Sequence, residues 1–360
     1  MNKKIIFSAG GTGGHIFPAI NLMKHFLSKE YKVLLVTDNR GNSFIKNNSK
    51  FKSYILNAAT PTHKNIFKKF FSFFLIFYSI IKSIIILKKE KPDLIFGLGG
   101  YVSFPISFAS RFFNLPLIIY ENNMVLGRAN KNLANLSKKI LIANKITKNF
   151  PEKYNNKTFE VGTIISKNII NSSSYKKEDD GKKKFSILVL GGSQGAEIFG
   201  KTIPDTIKMI RDKGYEVEVN QQCVGLQKDT IIDFYKKNNI KSYVFEFEEN
   251  ISEIALSSSL AITRCGASTT AELVHTLTPF VAVPLPNSVD NHQYLNAMYY
   301  LNKGCCLLLE QYNFNSKNLF NLIMENIKNK NKLENIRNNM KNNHKKDVYN
   351  NIENQIKEFF

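Results

Sequence analysis

Two stretches of this chain repeat one succession: an apolar strand, a glycine-rich loop, then a helix. The first runs from Lys3 to Ala9 into Gly10-Gly11-Thr12-Gly13-Gly14-His15, the second from Phe185 to Leu190 into Gly191-Gly192-Ser193-Gln194-Gly195. Glycine lets the backbone turn tightly and leaves bare N–H groups beside the positive end of the following helix, where an anion is stabilised. One such loop is a weak signal. Two, each opening its own run of strands and helices, predict two phosphate-handling α/β domains.

The rest of the chain follows that pattern. Strand-like runs recur at Val33 to Thr37, Ser53 to Leu56, Asp93 to Gly97, Leu117 to Tyr120 and Ile140 to Ala143. They resume at Glu216 to Asn220, Tyr243 to Phe247, Leu260 to Thr263, Phe280 to Val283 and Cys305 to Leu308. Helical stretches separate them, which predicts parallel sheets. Between the two series lies the polar stretch NSSSYKKEDDGKKK, Asn171 to Lys184. The expected division is a first domain over residues 1–162, a junction and linker over 163–184, a second domain over 185–340, and a C-terminal helix over 341–360 packing back on the first domain. At 360 residues, each half is long enough for its own core.

The net charge of +21 is one-sided: residues 1–162 carry 25 Lys+Arg against 7 Asp+Glu, and residues 163–360 carry 25 against 22. A composition rich in Lys, Asn, Ile and Phe explains many lysines but not missing acids, so the first domain is expected to meet an anionic surface. No base-reading module accompanies the charge, and no nucleic-acid partner is expected. The four cysteines show neither a Cys-x-x-Cys pair nor metal-ligand spacing, and too few apolar residues precede Gly10 for a secretory h-region. Both features predict a cytoplasmic protein.

Residues 66–89 are the exception to the soluble pattern. The apolar run Phe70 to Leu87 approaches the roughly 20 residues that span a bilayer. Lys82 lies inside it, and Lys68, Ser72, Ser79, Lys82 and Ser83 fall on one narrow helical stripe. The segment also separates two strands of one expected sheet, which a membrane crossing would pull apart. It therefore reads as a crossover helix whose wide apolar face, including Phe73, Phe77, Ile80 and Ile84, dips into a membrane interface between Lys64, Lys69, Lys88, Lys89 and Lys91.

His15 ends the first glycine loop just before a helix. With an ordinary pKa near 6.5, kept low by the helix start, its neutral form can accept a proton at cytoplasmic pH. At this point six ordered blocks resemble the MurG family of bacterial N-acetylglucosaminyltransferases of peptidoglycan precursor synthesis. They are Gly10 to His15, Gly99-Gly100-Tyr101, Glu121-Asn122-Asn123 with Asn130, Gly191 to Ala196, Arg264-Cys265-Gly266-Ala267 with Glu272, and Asp290-Asn291-His292-Gln293.

The resemblance implies an α/β fold of two Rossmann-like domains whose parallel sheets face a cleft, glycosyltransferase type B. It implies transfer of N-acetylglucosamine from UDP-N-acetylglucosamine to the 4-hydroxyl of the muramyl sugar on undecaprenyl diphosphate, with inversion, by a peripheral enzyme on the cytoplasmic face of the cell membrane, and no cofactor. His15 would be the catalytic base. Gly10, Gly11, Gly99, Gly100, Tyr101, Glu121 and Asn130 would bind the lipid-linked acceptor. Thr12, Gly13, Gly14, Asn123, Ser193, Gln194, Gly195, Glu248, Arg264, Ala267, Glu272, His292 and Gln293 would bind the nucleotide sugar, Glu272 through the ribose and His292 and Gln293 through the sugar hydroxyls. Thr12 and the loop from Gly10 to Gly14 also suit the acceptor diphosphate.

Plainer roles stand beside these. Thr269-x-x-Glu272 also reads as a capping box, Asp290 as a helix cap, Tyr101 as a core aromatic, and Asn296 as solvent-facing. No Asp-x-Asp motif occurs, so no metal-ligand set for a diphosphate is expected, and charge on departing UDP falls to N–H groups, a helix start and Arg264. Where the family usually has Gly-Asn-Pro-Val-Arg, this chain has Gly162-Thr163-Ile164-Ile165-Ser166, with Lys167 next in line to supply the missing charge but not the bidentate fork. Two rivals remain: a UDP-N-acetylglucosamine 2-epimerase of the same fold, and a basic binding protein without enzymatic activity.

Overall fold

The computed structural model describes residues 3–45, 51–57, 66–145, 147–148, 150–172, 184–192, 195–343 and 347–360. The chain forms two compact units, Met1–Ser166 with Lys345–Phe360, and Lys167–His344.

The first unit alternates β1 (Lys4–Ser8), α1 (Gly13–Leu27), β2 (Lys32–Thr37), α2 (Asn39–Ser43), β3 (Lys52–Ile55), α3 (Ile66–Glu90), β4 (Leu94–Gly97), α4 (Ser103–Ala109), β5 (Leu117–Glu121), α5 (Arg128–Leu133), β6 (Lys139–Ile142) and β7 (Thr158–Glu160). The strands form one sheet in the order β3-β2-β1-β4-β5-β6-β7, and every pairing is parallel. Both faces are covered, so central strands read as unbroken apolar runs: Ile5, Ile6 and Phe7 are all fully buried. The short edge strand β7, Thr-Phe-Glu, lacks that signature and is absent from the strand runs the sequence suggests.

α3 is the crossover from β3 to β4, two strands of the same sheet. Its last residue, Glu90, is buried and ties the helix to the sheet: Lys52 Nζ donates to Oε1 at 2.6 Å, Tyr54 donates to the same oxygen, and Lys4 Nζ lies 3.5 Å from Oε2. The orientation of α3 is the reverse of an ordinary surface helix. Ser72, Ser79 and Ser83, the small polar stripe, face inward, and Ser79 Oγ donates to Asn57 O at 2.8 Å. Phe70, Phe71, Phe73, Phe74, Phe77, Tyr78, Ile81 and Ile85 face outward, Phe70 with 74% and Phe77 with 62% of its surface open. Of the four residues expected on that face, Phe73 and Phe77 are there. Ile80 and Ile84 are half-buried instead, and Ile84 packs on the core. Lys64 lies outside the described residues.

Ile164 and Ile165, expected within the linker, are fully buried in the first unit. The Tyr120 hydroxyl, 3.0 Å from Gly162 O, accepts the Ile164 amide at 3.1 Å. Isoleucine supplies there an N–H that a proline could not.

The second unit begins with α6 (Lys167–Ser172), so residues 167–172 are helical rather than linker, while residues 173–183 lie outside the described set. It continues through β8 (Lys184–Leu190), α7 (Glu197–Asp212), β9 (Glu216–Gln222), α8 (Lys228–Lys237), β10 (Lys241–Phe245), α9 (Ile251–Ser257), β11 (Leu260–Thr263), α10 (Ala267–His275), β12 (Phe280–Ala282), α11 (His292–Leu301), β13 (Leu307–Leu308), α12 (Ser316–Lys328) and α13 (Lys330–Asn343). Its sheet is also parallel, in the order β10-β9-β8-β11-β12-β13. α14 (Val348–Ile356) belongs to the first unit. There Glu353 pairs with His25 Nε2 at 2.5 Å, and the Tyr349 hydroxyl donates to Ile165 O at 2.6 Å.

Candidate active site

Strand order decides which loops meet. In both sheets the order reverses beside the first strand of the unit, between β1 and β4 and between β8 and β11. Loops leaving the carboxyl ends of such neighbours diverge and open a ligand crevice. In the first unit they are the two glycine loops of the acceptor blocks. A Cβ on Gly100 would lie 2.3 Å from Gly10 O, and one on Gly99 would lie 2.9 Å from Nδ1 and Cε1 of His15. Both glycines have positive φ, +96° for Gly99 and +81° for Gly100. The two loops therefore pack backbone to backbone, and the His15 ring rests on Gly99 with Nδ1 enclosed.

The first loop offers fewer N–H groups than its glycines suggest. The Gly11 amide donates to Asp38 Oδ2 at 2.9 Å, and the Thr12 amide folds back on Gly10 O at 3.1 Å. Gly13 and Gly14, in the first turn of α1, keep amides with no place in the helical ladder. Asp38, which also accepts from Gly41 N at 2.6 Å, braces the loop. It goes unnoticed in the motifs, although an Asp between a strand and a helix is itself a capping signal.

The Glu121 block is turned inward. Glu121 is buried and accepts from the amides of Asn123 at 3.0 Å and Gly127 at 2.9 Å, and from Asn130 Nδ2 at 2.9 Å. Asn130 Nδ2 also donates to Tyr120 O at 2.9 Å. These two expected acceptor ligands thus shape the turn that carries half-buried Asn123. Tyr101 is exposed at the loop mouth rather than in the core.

In the second unit, Ser193 and Gln194 lie outside the described residues. Around them, the Gly192 amide donates to Gln222 Oε1 at 3.1 Å and the Gly195 amide to Gly192 O at 2.9 Å. Gly195, at φ +71°, would place a Cβ 3.2 Å from Val224. Arg264 departs from expectation. It is 8% exposed, with Nη1 donating to Val283 O at 3.1 Å and Pro284 O at 3.3 Å, Nη2 donating to Gln311 Oε1 at 2.6 Å, and its guanidinium over Phe199. Burial pulls its pKa below the usual arginine value. Its role in this geometry is to bind the loops after β12 and β13 together.

Gln293 does similar work with one atom: Oε1 accepts from the amides of Cys265 at 3.1 Å and Leu285 at 3.0 Å, joining the loops after β11 and β12. Asn296 does not face solvent. It is buried and donates to Cys265 O at 3.0 Å. Asp290 and Asn291 both sit in the left-handed region, at φ +51° and +55°, a conformation that costs a non-glycine residue about 1 kcal/mol or more and concentrates at ligand sites. Asn291, not Asp290, precedes the first residue of α11, and His292 Nδ1 lies 2.8 Å from Val289 O.

Helix α10 starts at Ala267 behind Gly266, so Thr269 is not an N-cap and the Thr269-Glu272 capping box does not form. Glu272 instead lines a small cavity with Ile169, Leu190, Ile251, Ala255 and Leu273, and burial pushes its carboxyl up to about 7. Glu248 lies at the surface, accepting from Asn250 N at 2.8 Å and from the Tyr243 hydroxyl at 2.9 Å, which hold its carboxyl below the usual range.

Two doubly wound units, each with a glycine loop at its strand-order reversal, define a two-domain α/β protein built to hold phosphate-bearing ligands. The chain belongs to glycosyltransferase family 28: residues 5–142 match its N-terminal domain and residues 186–352 its C-terminal domain. It is 36% identical over 356 residues to the UDP-N-acetylglucosamine–N-acetylmuramyl-(pentapeptide) pyrophosphoryl-undecaprenol N-acetylglucosamine transferase of Pelagibacter ubique (strain HTCC1062), covering 99% of this chain and 98% of that one. The protein of the same name from Rickettsia bellii (strain RML369-C) is 35% identical over 335 residues, covering 92% and 93%. In fold the chain is similar to Acinetobacter baumannii MurG, with a TM-score of 0.77, 23% identity and 99% of each chain covered. A UDP-N-acetylglucosamine 2-epimerase shares the fold at a TM-score of 0.65 and 12% identity, covering 100% and 97%.

Proposed function

We propose that this protein transfers N-acetylglucosamine from UDP-N-acetylglucosamine to the 4-hydroxyl of the muramyl sugar of an undecaprenyl-diphosphate-linked peptide, with inversion. The observation that carries the reading is the His15 ring seated on Gly99 at the meeting of the two glycine loops, beside the orphan amides of Gly13 and Gly14. With Nδ1 enclosed, Nε2 takes the proton of the acceptor hydroxyl as its oxygen attacks the anomeric carbon from the face opposite UDP. The free amides and hydroxyls of the acceptor loops hold the lipid diphosphate. In the second unit the ribose hydroxyls donate to the Glu272 carboxylate, and N–H groups at the starts of α7 and α10, the latter at Ala267, stabilise departing UDP. Gln293 Nε2 and the His292 ring serve the sugar hydroxyls.

The names of the relatives support transfer over epimerisation, because the epimerase likeness is one of fold alone. α3 supports a peripheral place on the cytoplasmic face of an anionic membrane: its outward apolar face is continued by exposed Phe112 and Phe113 on the turn packed against it, and exposed Lys88, Lys89, Lys91 and Arg111 flank it. The two ends of α3 return to one sheet, so the helix lies in an interface rather than crossing it.

The test is incubation with UDP-N-acetylglucosamine and a short-chain lipid-linked muramyl acceptor. UDP release only with both substrates, reduced at least about a hundredfold by His15→Ala with ligand binding intact, is the expected result. Isomerised nucleotide sugar without acceptor would establish the epimerase instead.

A further inference from the structure

A second cavity, of about 330 Å³, opens in the second unit beside the strained Asp290-Asn291 pair, lined among others by Pro284, Asn291, Tyr294, Glu310, Gln311 and Tyr312. It is distinct from the cavity of Glu272, and His292 and Gln293 are not among its lining residues. Its walls are held in place from behind. Arg264 fixes both the Val283-Pro284 carbonyls and the Gln311 side chain, and Gln293 fixes the Leu285 amide. A buried guanidinium held only by neutral oxygens and a phenyl ring is an expensive framework, which marks the wall it supports as a formed feature rather than a loose surface gap.

The chemistry of the lining is specific. Glu310 carries a carboxylate that makes no ion pair among the described residues, in a chain where Lys and Arg outnumber acids 50 to 29. Two tyrosines, two amide side chains and two prolines share the cavity with it. A carboxylate among aromatic rings recognises an organic ammonium, by charge and by the ring quadrupoles together, while the amides suit a peptide backbone.

We infer that this cavity binds the side-chain ammonium of the acceptor's peptide, making Glu310, Tyr294 and Tyr312 determinants of which muramyl peptide is used. The inference rests on the transfer reaction proposed above. Its place fits, because the cavity shares the Asn291 to Tyr294 segment with the residues proposed to read the transferred sugar, and the peptide hangs from the sugar that receives it.

The test compares two acceptors that differ only in a lysine side chain of the peptide, free or Nε-acetylated. The native protein is expected to prefer the free amine about tenfold in kcat/KM, with the preference shrinking as salt rises, and Glu310→Gln to bring the ratio near one while its melting temperature stays native. Equal use of the two acceptors by the native protein, or an unchanged ratio in Glu310→Gln, overturns the inference. Should neither acceptor be glycosylated, the transfer reading has failed. The cavity is then judged by saturation-transfer NMR with a free lysine-bearing tripeptide. A transfer signal that vanishes on Nε-acetylation and in Glu310→Gln supports an ammonium site for soluble amines, and the absence of any signal refutes it.

Discussion

Replacing Glu272 by Gln separates the two things a buried carboxyl can do. The side chain sits among Ile169, Leu190, Ile251, Ala255 and Leu273, and its pKa rises from an ordinary 4.5 to about 7 because ionisation there forfeits hydration. That gap corresponds to about 3 kcal/mol. The folded protein holds the proton more tightly than the unfolded chain does. The resulting stabilisation is fully present below pH 4.5 and is lost as pH rises through about 7. Glutamine keeps the shape and stays neutral, so Glu272→Gln is expected to be more stable than the native protein by up to about 3 kcal/mol at pH 8 and equal to it near pH 4.5. Denaturant midpoints at the two pH values measure this. Ligand binding should run the other way. Ribose hydroxyls need the ionised carboxylate, so native affinity for UDP falls about tenfold from pH 8 to pH 6, whereas the variant binds weakly with no such dependence. A variant no more stable at pH 8, or one that binds UDP normally, would refute the reasoning about Glu272.

Three further outcomes are expected. Gly100→Ala forces a Cβ to 2.3 Å from Gly10 O at positive φ and should cost at least about 3 kcal/mol together with acceptor use, while Gly214→Ala, at similar φ but with nothing within 4 Å, costs only about 1 kcal/mol; urea unfolding of both compares space with strain. Glu90 is pushed up by burial but held down to about 2 by Lys52 and Tyr54, so its contribution is present above pH 4.5 and lost as pH falls through about 2. Glu90→Gln should therefore cost about 2 kcal/mol at pH 7, a figure reduced because Lys52 is open to solvent, and little at pH 2, as thermal unfolding at the two pH values would record. Phe73→Glu with Phe77→Glu should lower partition onto anionic vesicles at least about a hundredfold while leaving the fold intact, since both rings are already exposed; unchanged binding would remove α3 from the membrane contact.

The sequence by itself determined the frame of this protein. Unbroken apolar runs such as Ile5 to Phe7, each followed by glycines and a helix, can be buried on both faces only in parallel sheets, and the two glycine loops mark where each unit holds an anion. That information is local, written within a strand and the loop it feeds. The tertiary structure alone decided which loops meet and where the side chains of the motifs point. Gly100 touches Gly10 because β4 lies beside β1, although whole strands and helices separate them along the chain. Arg264 and Glu121 have the residue types of ligand-binding groups, but their partners, Gln311 and the Val283 and Pro284 carbonyls for one, the amides of Asn123 and Gly127 for the other, turn them inward. On α3 the sequence shows a serine stripe and an apolar face with equal clarity. Only the packing of Ser79 and Ser83 against the first unit shows that the apolar face is the one left outside, because periodicity fixes which residues share a face and not which face the core will take.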